Sequence, residues 1–162
     1  MQYPHEKETP PIRARGVGGH KVRPPNSIYD HFALQYWFPN DLVLSFNSHQ
    51  SGFGYDDIMC RVYGVTGTAE AHYSGDILVR ARDDIYNGGK ASMIYAEGVT
   101  NNVKTFYESI IKGDFSNPTV AASVRSNLTT ILGRTAAYRN AVVTWDEMIR
   151  ANEKLDLRLP AL

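Results

Sequence analysis

Two alternating segments on either side of the turn Pro39-Asn40-Asp41 constrain the fold of this chain more than any other feature. In both segments most alternate residues are large and apolar, which is the pattern of a strand with one buried face. A three-residue turn pairs Leu34 with Phe46 and keeps the apolar face continuous, whereas a two-residue turn would set Leu34 against Asn47. The sequence therefore predicts an antiparallel hairpin over residues 29–50, with Asp41 in the left-handed conformation that Asp tolerates.

Alternation places Asp30 with the apolar residues and Tyr29 on the opposite face of the predicted hairpin, which is mostly polar. This face sets His31 against His49 and Trp37 against Val43, and opposed Cβ atoms lie about 4.5–5.5 Å apart. The two imidazoles could share a metal ion, contact a substrate hydroxyl or a second subunit, or form an ordinary hydrogen-bonded pair. A closed metal site needs further ligands, and the sequence identifies none.

The rest of the chain separates into a strand-rich part and a helical part. Further strands are predicted over residues 58–65, 69–73 and 76–82, and residues 83–100 read as irregular. Apolar residues at helical spacing from Val103 predict a helix that stops at Gly113. A second helix is predicted from Asn117-Pro118 to Tyr138, with Gly133 retained for close packing, and a third after the capping box that Thr144 opens. We expect residues 1–11 to form an extended arm and residues 12–162 to form one α+β domain.

Composition excludes several classes of protein. Lys and Arg together number 17, as do Asp and Glu, so no net charge attracts nucleic acid or an anionic membrane. No segment approaches the roughly 20 apolar residues that cross a bilayer. Cys60 is the single cysteine, so no internal disulfide can form, and its apolar neighbours predict that it is buried. We expect a soluble protein, and the lack of disulfides is compatible with a cytoplasmic location.

A glycine run and a basic cluster lie just before the hairpin. The run Gly16-Val17-Gly18-Gly19 lacks the third glycine of a dinucleotide-binding loop, since Lys21 stands there, and no helix pattern follows it. We interpret the run as a glycine-rich bend at the end of a strand. His20, Lys21 and Arg23 could hold an anionic or polyhydroxylated ligand, or form a solvated loop.

Several motifs, in their order along the chain, resemble a known family. They are Gly16–Arg23 followed by Ile28–Phe32 ("GVGGxxVR…IYDHF"), Arg61–Thr68, Glu97–Ile110, Asn117–Tyr138 and Val143–Met148 with its "VTWDE" segment. Together they span about residues 13–156 and resemble the C-terminal, non-nucleotide-binding domain of Gfo/Idh/MocA-type sugar oxidoreductases.

This resemblance implies an α+β fold with an open, mostly antiparallel β-sheet and helices packed on one face. It implies a domain that supplies substrate contacts and the subunit interface, while a preceding domain binds NAD or NADP and exchanges hydride with a sugar-like substrate. Neither the glycine fingerprint nor the family's "EKP" lysine motif occurs in these 162 residues, and His5 lacks the context of the family's catalytic histidine. We therefore assign no catalytic residue and expect no cofactor on this chain alone.

The expected function is that of a detached substrate-binding and oligomerisation domain, inactive alone, which works with a nucleotide-binding domain or chain. The alternative is a stand-alone enzyme, or a carbohydrate-binding or interaction module, that uses the face around His31 and His49. The candidate ligand-facing residues are His20, Arg23, Tyr29, His31, Asn47 and His49. The candidate residues of a homo-oligomer interface are Gln35, Trp37, Val43 and Ser45.

Overall fold

The computed structural model describes residues 9–22, 28–50, 57–73, 75–91 and 94–154, and most of the predicted arm lies outside them. The described residues form eight strands and three helices. In chain order these are β1 (Arg13–Gly19), β2 (His31–Trp37), β3 (Val43–His49), β4 (Met59–Tyr63), β5 (Gly67–His72), β6 (Asp76–Ala81), β7 (Ile85–Lys90), α1 (Ile94–Lys112), α2 (Thr119–Arg139), β8 (Val143–Thr144) and α3 (Trp145–Ala151).

The chain divides into two compact units. Unit 1 consists of residues 1–52 and 117–162, and unit 2 consists of residues 53–116. Each unit contains one four-stranded sheet in which all neighbouring strands are antiparallel. The predicted α+β fold with open, antiparallel sheets is confirmed, and the strands form two sheets where we expected one.

The sheet of unit 1 has the strand order β3-β2-β1-β8. Its hairpin has the predicted register, in which Leu34 pairs with Phe46 and His31 pairs with His49. Asp41 has the predicted positive φ, at 58°, and Asn40 shares it at 60°. Two consecutive left-handed residues complete the turn after Pro39, because Asn and Asp reach that conformation at low cost.

The predicted bend at the glycine run is wrong, because Gly16, Gly18 and Gly19 are residues of strand β1. Close contact with neighbouring side chains explains two of these glycines. A Cβ on Gly16 would overlap the side chain of Leu34, and one on Gly18 would lie 2.7 Å from Cδ2 of Tyr29. The run is therefore selected for close packing across strands and not for turning the chain.

Helix α2 packs on strands β1 and β2 and forms the core of unit 1 with them. The core residues are Ala14, Leu34, Tyr36, Leu132, Ala136, Ala137, Val143 and Met148. Burial of a side chain such as Leu132 stabilises the fold by roughly 1.5–3 kcal/mol. A Cβ on Gly133 would overlap the Tyr36 hydroxyl, which confirms that this glycine is retained for close packing.

The cap predicted for α3 is present, whereas α2 begins one residue later than predicted. Helix α2 begins at Thr119, so its N-cap is Pro118, which makes no side-chain cap hydrogen bond. The side chain of Asn117, the predicted cap, accepts a hydrogen bond from the Thr119 amide at 2.9 Å. At α3 the Thr144 hydroxyl accepts from the Glu147 amide at 3.2 Å, and the Glu147 carboxylate accepts from the Thr144 amide at 3.3 Å. This reciprocal pair is the predicted capping box.

Unit 2 contains strands β4 to β7 in sequence order and helix α1. Strand β7 was not predicted, because Gly88 and Gly89 interrupt its pattern of apolar residues. A Cβ on Gly88 would lie 3.2 Å from Cγ2 of Ile77, so a strand glycine is again placed where a neighbour approaches closely. Cys60 is exposed, so its predicted burial is wrong. Apolar sequence neighbours predicted a buried face here, but every residue of β4 is exposed in the structure.

No helix among the described residues is long and apolar enough to cross a membrane.

Candidate functional site

Asp30 lies at the end of the sheet of unit 1, where strands β1, β2 and β3 meet. Its main-chain amide donates to the carbonyl oxygen of Gly19 at 2.9 Å, and its carbonyl oxygen accepts from the Gln50 amide at 2.8 Å. The residue is only 1% exposed. Its backbone is therefore fixed from both sides.

The carboxylate of Asp30 joins the loop after β1 to the first residue of β2. Oδ2 accepts hydrogen bonds from the main-chain amides of Lys21 at 2.7 Å and Val22 at 2.9 Å. Oδ1 lies 2.8 Å from Nδ1 of His31. A buried carboxylate is costly unless it is hydrogen-bonded, and these three contacts supply that compensation.

Asp30 was not among the candidate site residues, because alternation placed it on the apolar face of the predicted hairpin. A signal was nevertheless present. An acidic residue at the start of an otherwise apolar alternation is a candidate for a buried, hydrogen-bonded group.

His31 occupies the polar face beside Asp30. Its side chain is 32% exposed, and it pairs in register with His49 on β3. The ring lies over Gly19, where an added Cβ would be 3.2 Å from Cε1 and 3.5 Å from Nε2. The glycine thus leaves space beside the nitrogen that does not face Asp30.

Aromatic rings pack next to this corner. The Tyr29 ring lies 4.3 Å from the ring of Tyr138 in α2, 5.7 Å from Phe32 and 5.1 Å from His20. Tyr29 was expected to share a face with His31, but the structure places it with Phe32 and Tyr138. The reason is that Tyr29 precedes strand β2, so the alternation of the strand does not extend to it.

The structure brings three of the predicted ligand-facing residues, His20, Tyr29 and His31, around Asp30. Nδ1 of His20 is buried and has no hydrogen-bond partner within the described part of the chain. Asn47 and His49 lie on β3 and pair with Ala33 and His31. Arg23 falls outside the described residues. We call the group of His20, Asp30, His31 and His49 the polar corner.

The predicted interface residues lie farther along the same sheet face. Gln35 donates from Nε2 to the Ser45 hydroxyl at 3.0 Å. The guanidinium of Arg13 lies 4.9 Å from the centre of the Trp37 ring, and Val43 is 46% exposed. Between these strands the face forms a shallow depression of about 510 Å³, and its lining includes Arg15, Val17, Ala33, Gln35, Trp37, Ser45 and Asn47.

The polar corner and the depression carry groups that can form hydrogen bonds with a ligand. Within the described ranges no group of three or more His, Cys, Asp or Glu side chains could hold a metal ion. The polar corner and the depression offer imidazole, amide and hydroxyl groups, which both donate and accept hydrogen bonds.

No protein-family model and no curated protein matches the sequence. Similar solved structures include a levoglucosan dehydrogenase in complex with NADH and L-sorbose, with a TM-score of 0.65 and 14% identity over 83% of this chain. They also include an oxidoreductase from Agrobacterium radiobacter in complex with NAD+, L-tartaric acid and magnesium, with a TM-score of 0.67 and 10% identity over 86% of this chain. In both comparisons this chain spans 44% of the length of the other protein. In fold, the chain is therefore similar to one part of NAD-binding oxidoreductases of the Gfo/Idh/MocA type.

Proposed function

We propose that this chain is the substrate-binding and oligomerisation domain of an NAD(P)-dependent Gfo/Idh/MocA-type oxidoreductase that acts on a sugar-like substrate. The observation that carries the proposal is the fold likeness to enzymes solved with a nicotinamide cofactor and a polyhydroxylated ligand. This chain spans less than half the length of those enzymes, which corresponds to a domain and not to a whole enzyme.

The polar corner supports a polyhydroxylated ligand. Binding sites fix such ligands with a few well-placed groups that donate and accept hydrogen bonds. The corner offers the rings of His31 and His49 on one sheet face, and Asp30 holds His31 in place. A hydroxyl can both donate and accept, so one sugar can satisfy several of these groups.

The residues of this chain do not fit the pyrophosphate of NAD or NADP. That group is held where a glycine-rich turn leads into the N-terminus of a helix. Here the glycines 16, 18 and 19 lie inside an antiparallel strand, and a Cβ on Gly16 or Gly18 would meet the side chain of a neighbouring residue. The proposal therefore assigns the cofactor to another domain, in a longer protein or in a separate chain.

Two titrations test the proposal. With the 162-residue chain alone, nicotinamide fluorescence should show no saturable binding of NADH or NADPH, and saturable micromolar binding would contradict the proposal. Chemical shifts in NMR spectra should change saturably on addition of unphosphorylated sugars such as L-sorbose or levoglucosan. A chain that binds none of a broad panel of sugars and sugar acids is not a substrate domain of this kind.

The same proposal expects self-association through the face that carries Trp37 and Val43. Aromatic residues among neutral polar ones are typical of interfaces, and a twofold pairing of such a face is self-complementary. Sedimentation at several concentrations should show a dimer or a larger species, and Trp37→Glu should shift it toward monomer. Tyr86→Glu, which changes an exposed aromatic residue of β7 in unit 2, is the matched control.

A chain that stays monomeric at tens of micromolar, an ordinary range for weak dimers, would contradict self-association. The face would then be assigned to docking of the nucleotide-binding partner.

A further inference from the structure

The two ring nitrogens of His31 have different surroundings. Nδ1 lies 2.8 Å from Oδ1 of Asp30, while Oδ2 of that carboxylate accepts from two main-chain amides. An ionised carboxylate only accepts hydrogen bonds, so Nδ1 must carry a proton. In the neutral ring the other nitrogen, Nε2, is then an acceptor.

We propose that Nε2 of His31 accepts a hydrogen bond from a ligand hydroxyl, and that Asp30 is the positioning residue that directs the proton of the neutral ring to Nδ1 and orients the ring. The class of ligand, a polyhydroxylated molecule, rests on the proposed function above. The assignment of donor and acceptor to the two nitrogens rests on the contacts of Asp30 alone.

Asp30 is built for a positioning role. Its main chain is bonded to Gly19 and Gln50, its carboxylate is bonded to Lys21 and Val22, and its side chain is fully buried. A binding group works best when the residue behind it is itself locked by packing and hydrogen bonds. The His31 ring therefore has one anchored nitrogen and one nitrogen beside the space over Gly19.

Unit 2 contains a second Asp–His pair that serves as a control. Nδ1 of His72 lies 2.9 Å from Oδ2 of Asp57, nearly the same distance as in the first pair. The Asp57 side chain is 18% exposed, whereas that of Asp30 is fully buried. Asp57→Asn removes a carboxylate beside an imidazole in the other unit.

Asp30→Asn tests the positioning role directly. The two main-chain amides require the single side-chain oxygen of Asn, so its NH2 group must face Nδ1 of His31. That nitrogen then has to accept, and the proton moves to Nε2, which changes from acceptor to donor. The same change of tautomer by an isosteric substitution is known from serine proteases.

Nitrogen-15 NMR of the imidazole rings in the full chain measures the tautomer. In the parent chain we expect neutral His31 to carry its proton on Nδ1, and in Asp30→Asn on Nε2. Asp57→Asn should leave His31 unchanged. A parent His31 with its proton on Nε2 would overturn the proposal.

Ligand binding is tested with L-sorbose as the probe and the ring resonances of His31 as the readout. We expect a saturable shift in the parent chain, binding weakened at least tenfold in Asp30→Asn, and binding within twofold of the parent in Asp57→Asn. Gly19→Ala places a methyl group beside Nε2 of His31, so it should also weaken sugar binding at least tenfold. If Asp30→Asn does not fold, the affinity of Gly19→Ala tests whether Nε2 contacts the ligand.

The possible failures of this inference and of the proposed function can be told apart. Sugar binding that shifts Asn47 or Gln35 but not His31 overturns the inference and leaves the proposed function standing. Equal affinity for sugar in the parent, Asp30→Asn and Gly19→Ala likewise overturns the inference and leaves the proposed function standing. A chain that binds no sugar overturns both, and saturable NADH binding overturns the proposed function alone.

Discussion

The two units differ in burial although each contains a four-stranded antiparallel sheet and at least one long helix. All buried residues among those described lie in unit 1. There, strand β2 alternates between more and less buried positions under helix α2, whereas every residue of β4 and β7 in unit 2 is exposed. Alternation along a strand thus defines an apolar face, but only a covering element turns that face into a core.

The residues at the contact explain why α2 packs closely. Gly16 of β1, and Gly133 and Ala136 of α2, are small, so the backbones approach and the hydroxyl of Tyr36 reaches Gly133. Helix α1 of unit 2 carries large residues, such as Phe106 and Ile110, on a stripe that is exposed. Its residue Tyr95 has its ring 5.0 Å from the ring of Tyr73, the residue that follows β5.

The largest difference in stability between the two units is expected when a charge is introduced into the sheet of each. Leu34→Asp places a charge against Phe46 and Gly133, and an unpaired buried charge costs several kcal/mol, comparable to the whole stability of a domain. We expect this variant to be unfolded or aggregated. Val79→Asp in β6 is the matched change in unit 2, where the side chain is 41% exposed and the charge stays solvated.

Tryptophan fluorescence during urea unfolding measures this difference, because both tryptophans, Trp37 and Trp145, lie in unit 1. Leu34→Asp should abolish the transition and Val79→Asp should leave its midpoint nearly unchanged. A melt of Leu34→Asp that matches the parent would show that the register is wrong.

Glycine-to-alanine changes in the two long helices should have opposite signs. Gly133→Ala forces a methyl group into the Tyr36 ring, and such overpacking costs about 1–3 kcal/mol. A Cβ on Gly98 in α1 meets nothing within 4 Å, so Gly98→Ala should gain up to about 1 kcal/mol from helix propensity. The effect of Gly133→Ala is measured by urea unfolding followed by tryptophan fluorescence. The effect of Gly98→Ala is measured by hydrogen exchange of α1. Stabilisation by Gly133→Ala would mean that α2 lies farther from β2 than the structure shows.

Features that depend on local patterns could be predicted from the sequence. The register around Leu34 and Phe46, the turn at Asp41 and the cap at Thr144 follow from alternation and turn chemistry, and all three are confirmed. Strand β7 could not be predicted in this way, because its glycines are explained by a neighbour in space, Ile77.

The candidate site was only partly predictable for the same reason. The pairing of His31 with His49 follows from the register alone. The role of Asp30 depends on amides from a loop eight and nine residues earlier, and no periodic pattern encodes that contact. Tyr29 was misplaced because the strand begins two residues after it.

The stability of unit 1 should depend on pH in the alkaline range because of Tyr36. Burial raises the pKa of its hydroxyl from 10.0 to about 12, because the low-polarity core disfavours the ionised form. The folded pKa therefore lies above the unfolded one, so this contribution to stability is complete below pH 10 and is lost as the pH rises toward 12. One pKa unit corresponds to roughly 1.4 kcal/mol, so about that amount should be lost between about pH 9 and pH 11.

The difference between the parent and Tyr36→Phe isolates this contribution from the other tyrosines. Urea titrations of both proteins across this range, followed by tryptophan fluorescence, should show that the parent loses its advantage as the pH rises. A constant difference between the two proteins would show that the Tyr36 hydroxyl reaches solvent.

The smallest expected effect lies at the last helix, where a local cap supports the core of unit 1. The hydroxyl of Thr144 caps α3, β8 pairs Thr144 with Arg13, and α3 carries Met148 into the core. Thr144→Ala removes one cap hydrogen bond and should cost about 1 kcal/mol, whereas Thr144→Ser keeps the hydroxyl and should cost only a few tenths. Urea midpoints from tryptophan fluorescence should fall in the order parent, Ser, Ala, while hydrogen exchange in strands β4 to β7 should not change. Equal midpoints for Ala and Ser would show that the hydroxyl of Thr144 does not stabilise α3. Faster hydrogen exchange in unit 2 would show that the stability of unit 2 depends on that of unit 1.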